Sequence, residues 1–385
     1  MKYRKLGRTG LEISEIGMGL EHLLDKDESI VIDTIRTAVK GGINYFDCLP
    51  LSEYSENTGT NEGYVKLAKA LDGLRDQVHI TFLAFVNRPV SYAIADFECY
   101  LRTLNTGYAD VFIIACCDNT VDYDVVTGAG SLLEYAKNLQ DEGRIQHIGF
   151  STHNTEIAHR VITSGEFDIL MFPVNPAFDV IDDEGNFSSD ILGNIWHAAY
   201  TYTTEGKSGR QPRKEVYDAC MQNDIGLVAM KPFAGGFILE VEKEAGYTPV
   251  NLVSYALSQN GVSTIIPGCA SPQEIEEILT YDASPDEARD YSQAILKSRW
   301  SLQGNCLYCS HCLPCSSDIN IAEVNKLLNC YENNAFSDAG AIYDKYAALA
   351  VKASACIECG ECGKRCPFQV KITEKMKRAA DIFEK

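Results

Sequence analysis

The chain of 385 residues is 45% hydrophobic and 23% charged, a balance that excludes a disordered polymer and suits two domains or one large domain with an appendage. Its 54 Asp and Glu against 34 Lys and Arg leave a net charge of −20, which repels nucleic acid and anionic lipid and leaves a basic protein as the kind of macromolecule it attracts. The longest strongly apolar run, 111–117, is about a third of the roughly 20 residues a spanning helix needs, and the MKYRKLGRTG start has no apolar stretch like a signal peptide, so a cytoplasmic chain without membrane contact is expected.

From residue 11 to about 270, short apolar runs alternate with amphipathic stretches. ISEIGMG (13–19), INYFD (43–47), HITFLAF (79–85), DVFIIACC (110–117), IQHIGF (145–150), FDILMF (167–172), IGLVAM (225–230) and STIIPG (263–268) read as buried strands. Helical candidates lie between them at 29–42 and 91–105, the first closed by a Gly pair that suits a helix C-terminus. Eight strands separated by helices predict an α/β fold of the TIM (β/α)8 barrel kind more than an open doubly wound sheet. The absence of GxGxxG after the first strand agrees. Residues 176–215 make a longer connection than such a barrel needs. Their rings, Phe178, Trp196, His197, Tyr200 and Tyr202, suit either a lid over the active-site face or a surface excursion that buries its own side chains.

Fifteen cysteines in a chain without a secretory signal point to metal ligation or reactive thiols rather than disulfides. Cys48, Cys99, Cys116, Cys117, Cys220 and Cys269 are scattered, whereas the last eighty residues hold nine, which places a composition boundary near residue 300.

Six blocks in order, YRKLGRTGLEISEIGMG, the INYFD strand, LRTLNTGYADVFII, GRIQHIGFSTHN, IGLVAMKPFAGG and STIIPGCASPQEIEE, resemble the aldo-keto reductase barrel. The resemblance covers residues 1 to about 285 and is nearest to the branch with a C-terminal ferredoxin-like domain. It implies a barrel over 1–295, with the insert at about 176–215, followed by a small helical dicluster ferredoxin-like domain over 296–385.

The tail carries two tight cysteine runs. Cys356, Cys359, Cys362 and Cys366, followed by Pro367, match the bacterial ferredoxin spacing C-x2-C-x2-C-x3-C-P, in which three thiolates wrap one cubane and the fourth is free to ligate another. Cys306, Cys309, Cys312 and Cys315 depart from it by a shorter last spacing and Ser316 in place of proline, as the ferredoxin-tailed aldo-keto reductases do. Two 4Fe-4S clusters are expected on these eight cysteines, with two zinc ions as the competing reading. The segment between the runs is helix-rich, and Cys330 within it is expected in the core.

The resemblance implies a tetrad at the ends of the second, third and fourth strands: a tyrosine acid, a lysine that lowers its pKa, an aspartate paired to the lysine, and a substrate-orienting histidine. The aspartate is Asp47. Ser52 stands where the tyrosine belongs, with Tyr54 two residues on; Leu83 replaces the lysine and Ala115 the histidine. The nicotinamide carboxamide contacts read Ser151 and Thr152, then Met171 before Asn175. NADPH is therefore expected to bind weakly or not at all. Without a lysine, Tyr54 keeps a pKa around 10 and donates a proton poorly.

Other polar groups converge on the same face: Glu53 and Glu56, Cys116 and Cys117, His153, and Lys231. Candidate catalytic residues are Asp47, Tyr54, Cys116 and His153, with His153 or Lys231 as the cation a reactive thiol needs. Ser151, Lys231 and Gly268 are candidates for a nicotinamide cofactor. The leading expectation is an iron-sulfur oxidoreductase that exchanges electrons with a small organic substrate or a redox-protein partner. Its competitors are an NADPH-dependent carbonyl reductase with a variant acid, and a non-catalytic electron-transfer subunit.

Overall fold

In the computed structural model, which describes residues 1–49, 59–181, 198–199, 211–300, 304–332 and 340–385, the apolar runs form strands. They are β1 (Tyr3–Lys5), β2 (Glu12–Ser14), β3 (Met18–Gly19), β4 (Tyr45–Cys48), β5 (His79–Phe85), β6 (Ala109–Ala115), β7 (Ile145–Ser151), β8 (Ile169–Pro173), β9 (Gly226–Met230) and β10 (Val262–Ile266). Strands β3 to β10 pair in chain order, all parallel. Bridges from Ile16 to Ile265 and from Gly19 to Gly268 close the sheet, so the expected eight-stranded barrel is present.

Both faces of these strands are covered, which is why the runs are continuously apolar rather than alternating. Inward positions Leu83, Val111, Ile113, Ala115, Ile169, Met171 and Val228 fill the barrel. Outward positions Phe82, Phe112, Ile114, Phe150, Leu170 and Leu227 pack under the helices. The helix predicted at 29–42 spans Glu28–Lys40, followed by Gly41 and Gly42, and the one predicted at 91–105 spans Val90–Leu104.

The run 13–19 is not one strand. Its first half, β2, pairs antiparallel with β1, and only Met18 and Gly19 join the barrel. The hairpin plugs the N-terminal end: Leu6 and Ile13 are fully buried against the interior cluster. Gly7, with φ +49, passes so close that a Cβ there would lie 2.2 Å from the Gly226 amide nitrogen. Gly7→Ala is therefore expected to destabilise the fold by roughly 2–4 kcal/mol, from a left-handed non-glycine residue and a backbone clash together. Urea denaturation checks this, and an unchanged midpoint contradicts the plug.

Beyond residue 303 the described residues are helical, in Ile321–Glu332, Gly340–Ala347, Glu361–Arg365 and Ile372–Phe383, with no strand. They share an apolar cluster with the barrel, in which Leu252 and Tyr255 of the helix Pro249–Ser258 meet Tyr291, Trp300, Val324, Leu328 and Met376. Cys330 is fully buried, as expected, and Asn260 Nδ2 donates to its sulfur at 3.3 Å. Among the described residues no helix is long and apolar enough to cross a membrane.

Candidate active site at the barrel mouth

Strand order and parallel register bring the C-terminal strand ends to one rim, where barrel enzymes carry their chemistry. Asp47 on β4 stands beside Thr81 on β5, and the Thr81 hydroxyl donates to Asp47 Oδ1 at 2.8 Å. Asp47 is 5% exposed. Burial raises its carboxyl pKa to about 7; Glu21 adds to the rise, while the Thr81 hydrogen bond and the Lys231 charge oppose it. Leu83 and Ala115 are buried in the apolar interior, so the walls contributed by β5 and β6 are apolar at these positions.

Cys116 follows β6 with φ +61 and Lys231 follows β9 with φ +53, a backbone region that non-glycine side chains seldom adopt and that clusters at functional sites. Cys116 reaches solvent yet is walled by protein. Burial and Asp118 push its thiol up to about 11 despite Lys231, and burial with Asp122 and Asp118 takes Cys117 to about 12. Both thiols are neutral at physiological pH, and the cation expected to activate them does not do so.

His153 is 2% exposed. Its backbone amide donates to Asp118 Oδ1 at 2.6 Å, its Nδ1 lies 3.0 Å from Asp118 Oδ2, and the Thr152 hydroxyl donates to Asp118 Oδ1 at 3.0 Å. Burial works to raise the Asp118 carboxyl, but these bonds outweigh it and leave it below the usual carboxylate value. Burial lowers the His153 pKa in spite of Asp118. The imidazole is then neutral, with Nδ1–H given to Asp118 and Nε2 without a hydrogen-bond partner among the described residues.

The Ser151 side chain is buried at the end of β7. Asn175 Nδ2 donates to the Lys231 carbonyl at 3.0 Å and its Oδ1 accepts from the Phe178 amide at 2.9 Å. Gly268 sits beside Gly19 at the closing seam. Tyr54, with Ser52, Glu53 and Glu56, lies outside the described residues, as do Trp196, His197, Tyr200 and Tyr202 of the insert. Phe178, at the insert's start, is fully buried. Thr81 and Glu21 were not anticipated. A threonine inside the apolar run HITFLAF is the signal that marks the first, whereas nothing local marks the second.

The aldo/keto reductase family model matches residues 15–184. Aldo-keto reductase YhdN of Bacillus subtilis (strain 168) is 29% identical over 170 residues, 40% of this chain and 48% of that protein, so the match spans about half of that relative's length. Aldo-keto reductase AKR11C1 from Bacillus halodurans, in its holo form, superposes with a TM-score of 0.57 at 17% identity, covering 78% of this chain and 98% of that one. The barrel has the aldo-keto reductase type of fold. A third relative of this fold, the aldo-keto reductase from Klebsiella pneumoniae solved in complex with NADPH, gives a TM-score of 0.51 at 16% identity over 78% of this chain and 99% of its own.

These findings correct the cofactor expectations. The structure gathers the tail cysteines into two sets: Cys306, Cys309, Cys312 and Cys366 line one pocket, and Cys315, Cys356, Cys359 and Cys362 line another. Among the described residues, however, no group of three or more His, Cys, Asp or Glu is arranged to hold a metal ion. The expectation of two 4Fe-4S clusters is therefore withdrawn. So is the expectation that NADPH is bound weakly or not at all, because an aldo-keto reductase of this fold is solved with NADPH.

Proposed function

We propose that the barrel is an oxidoreductase that reduces the carbonyl group of a small organic substrate with NADPH, and that Asp47 is its proton donor. The observation that carries this reading is a carboxyl buried at the mouth of an aldo-keto reductase barrel with a pKa of about 7. A group that titrates near the working pH is half protonated there and still gives its proton up readily. Asp47 thereby takes the role that the family gives to a tyrosine.

The residues at the rim fit a nicotinamide dinucleotide in part. The Ser151 hydroxyl is buried at the rim, and Gly268 lies beside Gly19 at the seam between β10 and β3. Thr152 has given its hydroxyl to Asp118 and Met171 is apolar, so the carboxamide has fewer partners than the family provides. Ser151 and Gly268 are the residues that would hold the cofactor. When bound, it supplies a hydride. Asp47 then gives its proton to the carbonyl oxygen, Thr81 holds the carboxyl in place, and Leu83, Ala115 and Met171 keep that wall dry.

The test is NADPH oxidation by the intact protein with a panel of aldehydes and ketones, followed across pH. Turnover that falls as pH rises through about 7 is expected, since only the protonated Asp47 donates. Absence of turnover with every carbonyl, together with no change in NADPH fluorescence on mixing, defeats the reading.

A further inference from the structure

His153 follows β7 at the rim of the barrel, and the pleat of that strand sets its direction. Phe150 packs outward under the helices. Gly149 faces inward, where a Cβ would lie 3.2 Å from the Ile113 and Ile169 side chains of the barrel interior. Ser151 and then His153 continue that inward face at intervals of two residues. Register sets Ile114 of β6 opposite Phe150, so β6 offers only the Ala115 methyl beside Ser151.

Hydrogen bonds fix both the ring and its backbone. The Asp118 carboxylate accepts from the His153 amide at 2.6 Å and from Nδ1 at 3.0 Å, and Arg213 Nη2 donates to the His153 carbonyl at 2.8 Å. Asp118 is itself held, since the Thr152 hydroxyl donates to its carboxylate and Asn154 Nδ2 to its carbonyl, each at 3.0 Å. Asn154 also caps the helix Thr155–Ser164, accepting from the Glu156 and Ile157 amides. A carboxylate only accepts, so Nδ1 carries the hydrogen and Nε2 carries a lone pair. Nε2 is shielded from solvent and has no hydrogen-bond partner among the described residues. Buried polar atoms are nearly always paired, because an orphan forfeits its hydration for nothing. The loop satisfies the amide, the carbonyl and Nδ1 of His153 and leaves this one acceptor for a donor that arrives with a ligand.

We propose that His153 is a substrate-recognition group: locked by Asp118 as the Nδ1–H tautomer, it presents Nε2 as the acceptor for a hydroxyl group of the substrate, so that the barrel prefers small hydroxylated carbonyl compounds to plain aldehydes and ketones. A site with a buried, fixed acceptor selects for the ligand that brings a donor, because a methyl in the same place leaves the acceptor unpaired. The ring pays little entropy on binding, since its orientation is already set by Asp118. This inference rests on the carbonyl-reductase reading for the reacting group of the substrate; the hydrogen-bonding site does not depend on it.

Two measurements on the full chain test it. In the first, kcat/KM with NADPH is compared for hydroxyacetone and butanone, which differ by a hydroxyl in place of a methyl, and for 4-hydroxybutan-2-one and pentan-2-one, which carry the same change one carbon further out. The hydroxylated member of at least one pair is expected to be preferred roughly 10- to 100-fold in the native protein and less than about threefold in His153→Phe; equal ratios in the two proteins overturn the proposal. Asp118→Asn keeps an oxygen for the His153 amide but turns an N–H towards Nδ1, which reverses the tautomer and makes Nε2 a donor. That variant is expected to lose the native preference for hydroxyacetone over methoxyacetone, whose ether oxygen accepts but cannot donate, and an unchanged ratio counts against the lock. In the second measurement, ¹⁵N-histidine spectra, with the His153 signals assigned from His153→Phe, follow Nε2 without turnover. Nε2 is expected to be unprotonated and unbonded in the ligand-free protein, and to shift on addition of hydroxyacetone but not of butanone. A protonated Nε2, or one bonded to an internal water and unmoved by hydroxyacetone, overturns the proposal. If the spectra shift as stated while the native protein turns over no carbonyl, the carbonyl-reductase reading fails and the recognition site stands.

Discussion

Asp47→Asn is expected to lower carbonyl turnover at pH 7 by roughly 10²- to 10⁴-fold, the contribution of a positioned general acid, while making the protein more stable at alkaline pH. The two effects have one cause. Asp47 titrates near 3.8 when exposed and at about 7 in the folded barrel, because burial disfavours the charged form. Below both values the carboxyl is neutral in the folded and unfolded chains alike, and its stabilisation relative to the charged state is fully present. As pH rises through about 7 that contribution is lost, up to about 4 kcal/mol at 1.36 kcal/mol per pH unit. An asparagine carries no charge to bury, so the variant should match the native protein near pH 4 and exceed it at pH 8 by roughly 1–4 kcal/mol. Thermal unfolding at the two pH values, set beside NADPH-dependent turnover, reads both. A variant that loses activity and also loses stability at pH 8 shows Asp47 to be an ionised structural carboxylate and removes it as the proton donor.

Trp300→Ala is expected to cost roughly 3–5 kcal/mol, as removal of a fully buried aromatic does. Trp300 is 1% exposed. Its indole Nε1 donates to the Ala199 carbonyl at 3.0 Å, and its ring packs against Phe237 and Tyr247. It also stands in the cluster that joins the barrel to the helical segment beyond residue 303. Tyr291 strengthens that joint by donating to the Leu307 carbonyl at 2.7 Å, while Lys214 of the helix Pro212–Gln222 lies buried over the Tyr308 ring at 5.3 Å. The variant should therefore unfold in a single transition, with far-UV and near-UV signals moving together. A first transition confined to the C-terminal helices, with the barrel unaffected, contradicts a common core.

The eight parallel strands and their helices were legible in the sequence because a strand buried on both faces has to be apolar at consecutive positions, and runs such as 79–85 and 110–115 announce this without any long-range information. The same local pattern misread 13–19 as one strand. Whether those residues enter the barrel or plug its base is decided by the close approach of Gly7 to Gly226, residues far apart in the chain. Asp47 was legible as a residue near the end of a barrel strand through the NYFD block. Its proton affinity was not, because that is set by burial and by Thr81, Glu21 and Lys231, which come from three other parts of the chain. The cysteine spacing gave a strong local signal for metal, but spacing fixes only which thiols are neighbours along the chain. The pairing of Cys366 with the first run, the pairing of Cys315 with the second, and the raised pKa values of the buried thiols are tertiary facts. Strand existence is written in short windows of sequence because burial pattern is local; the charge state of a side chain is not, because every group within Coulombic reach contributes to it wherever it lies in the chain.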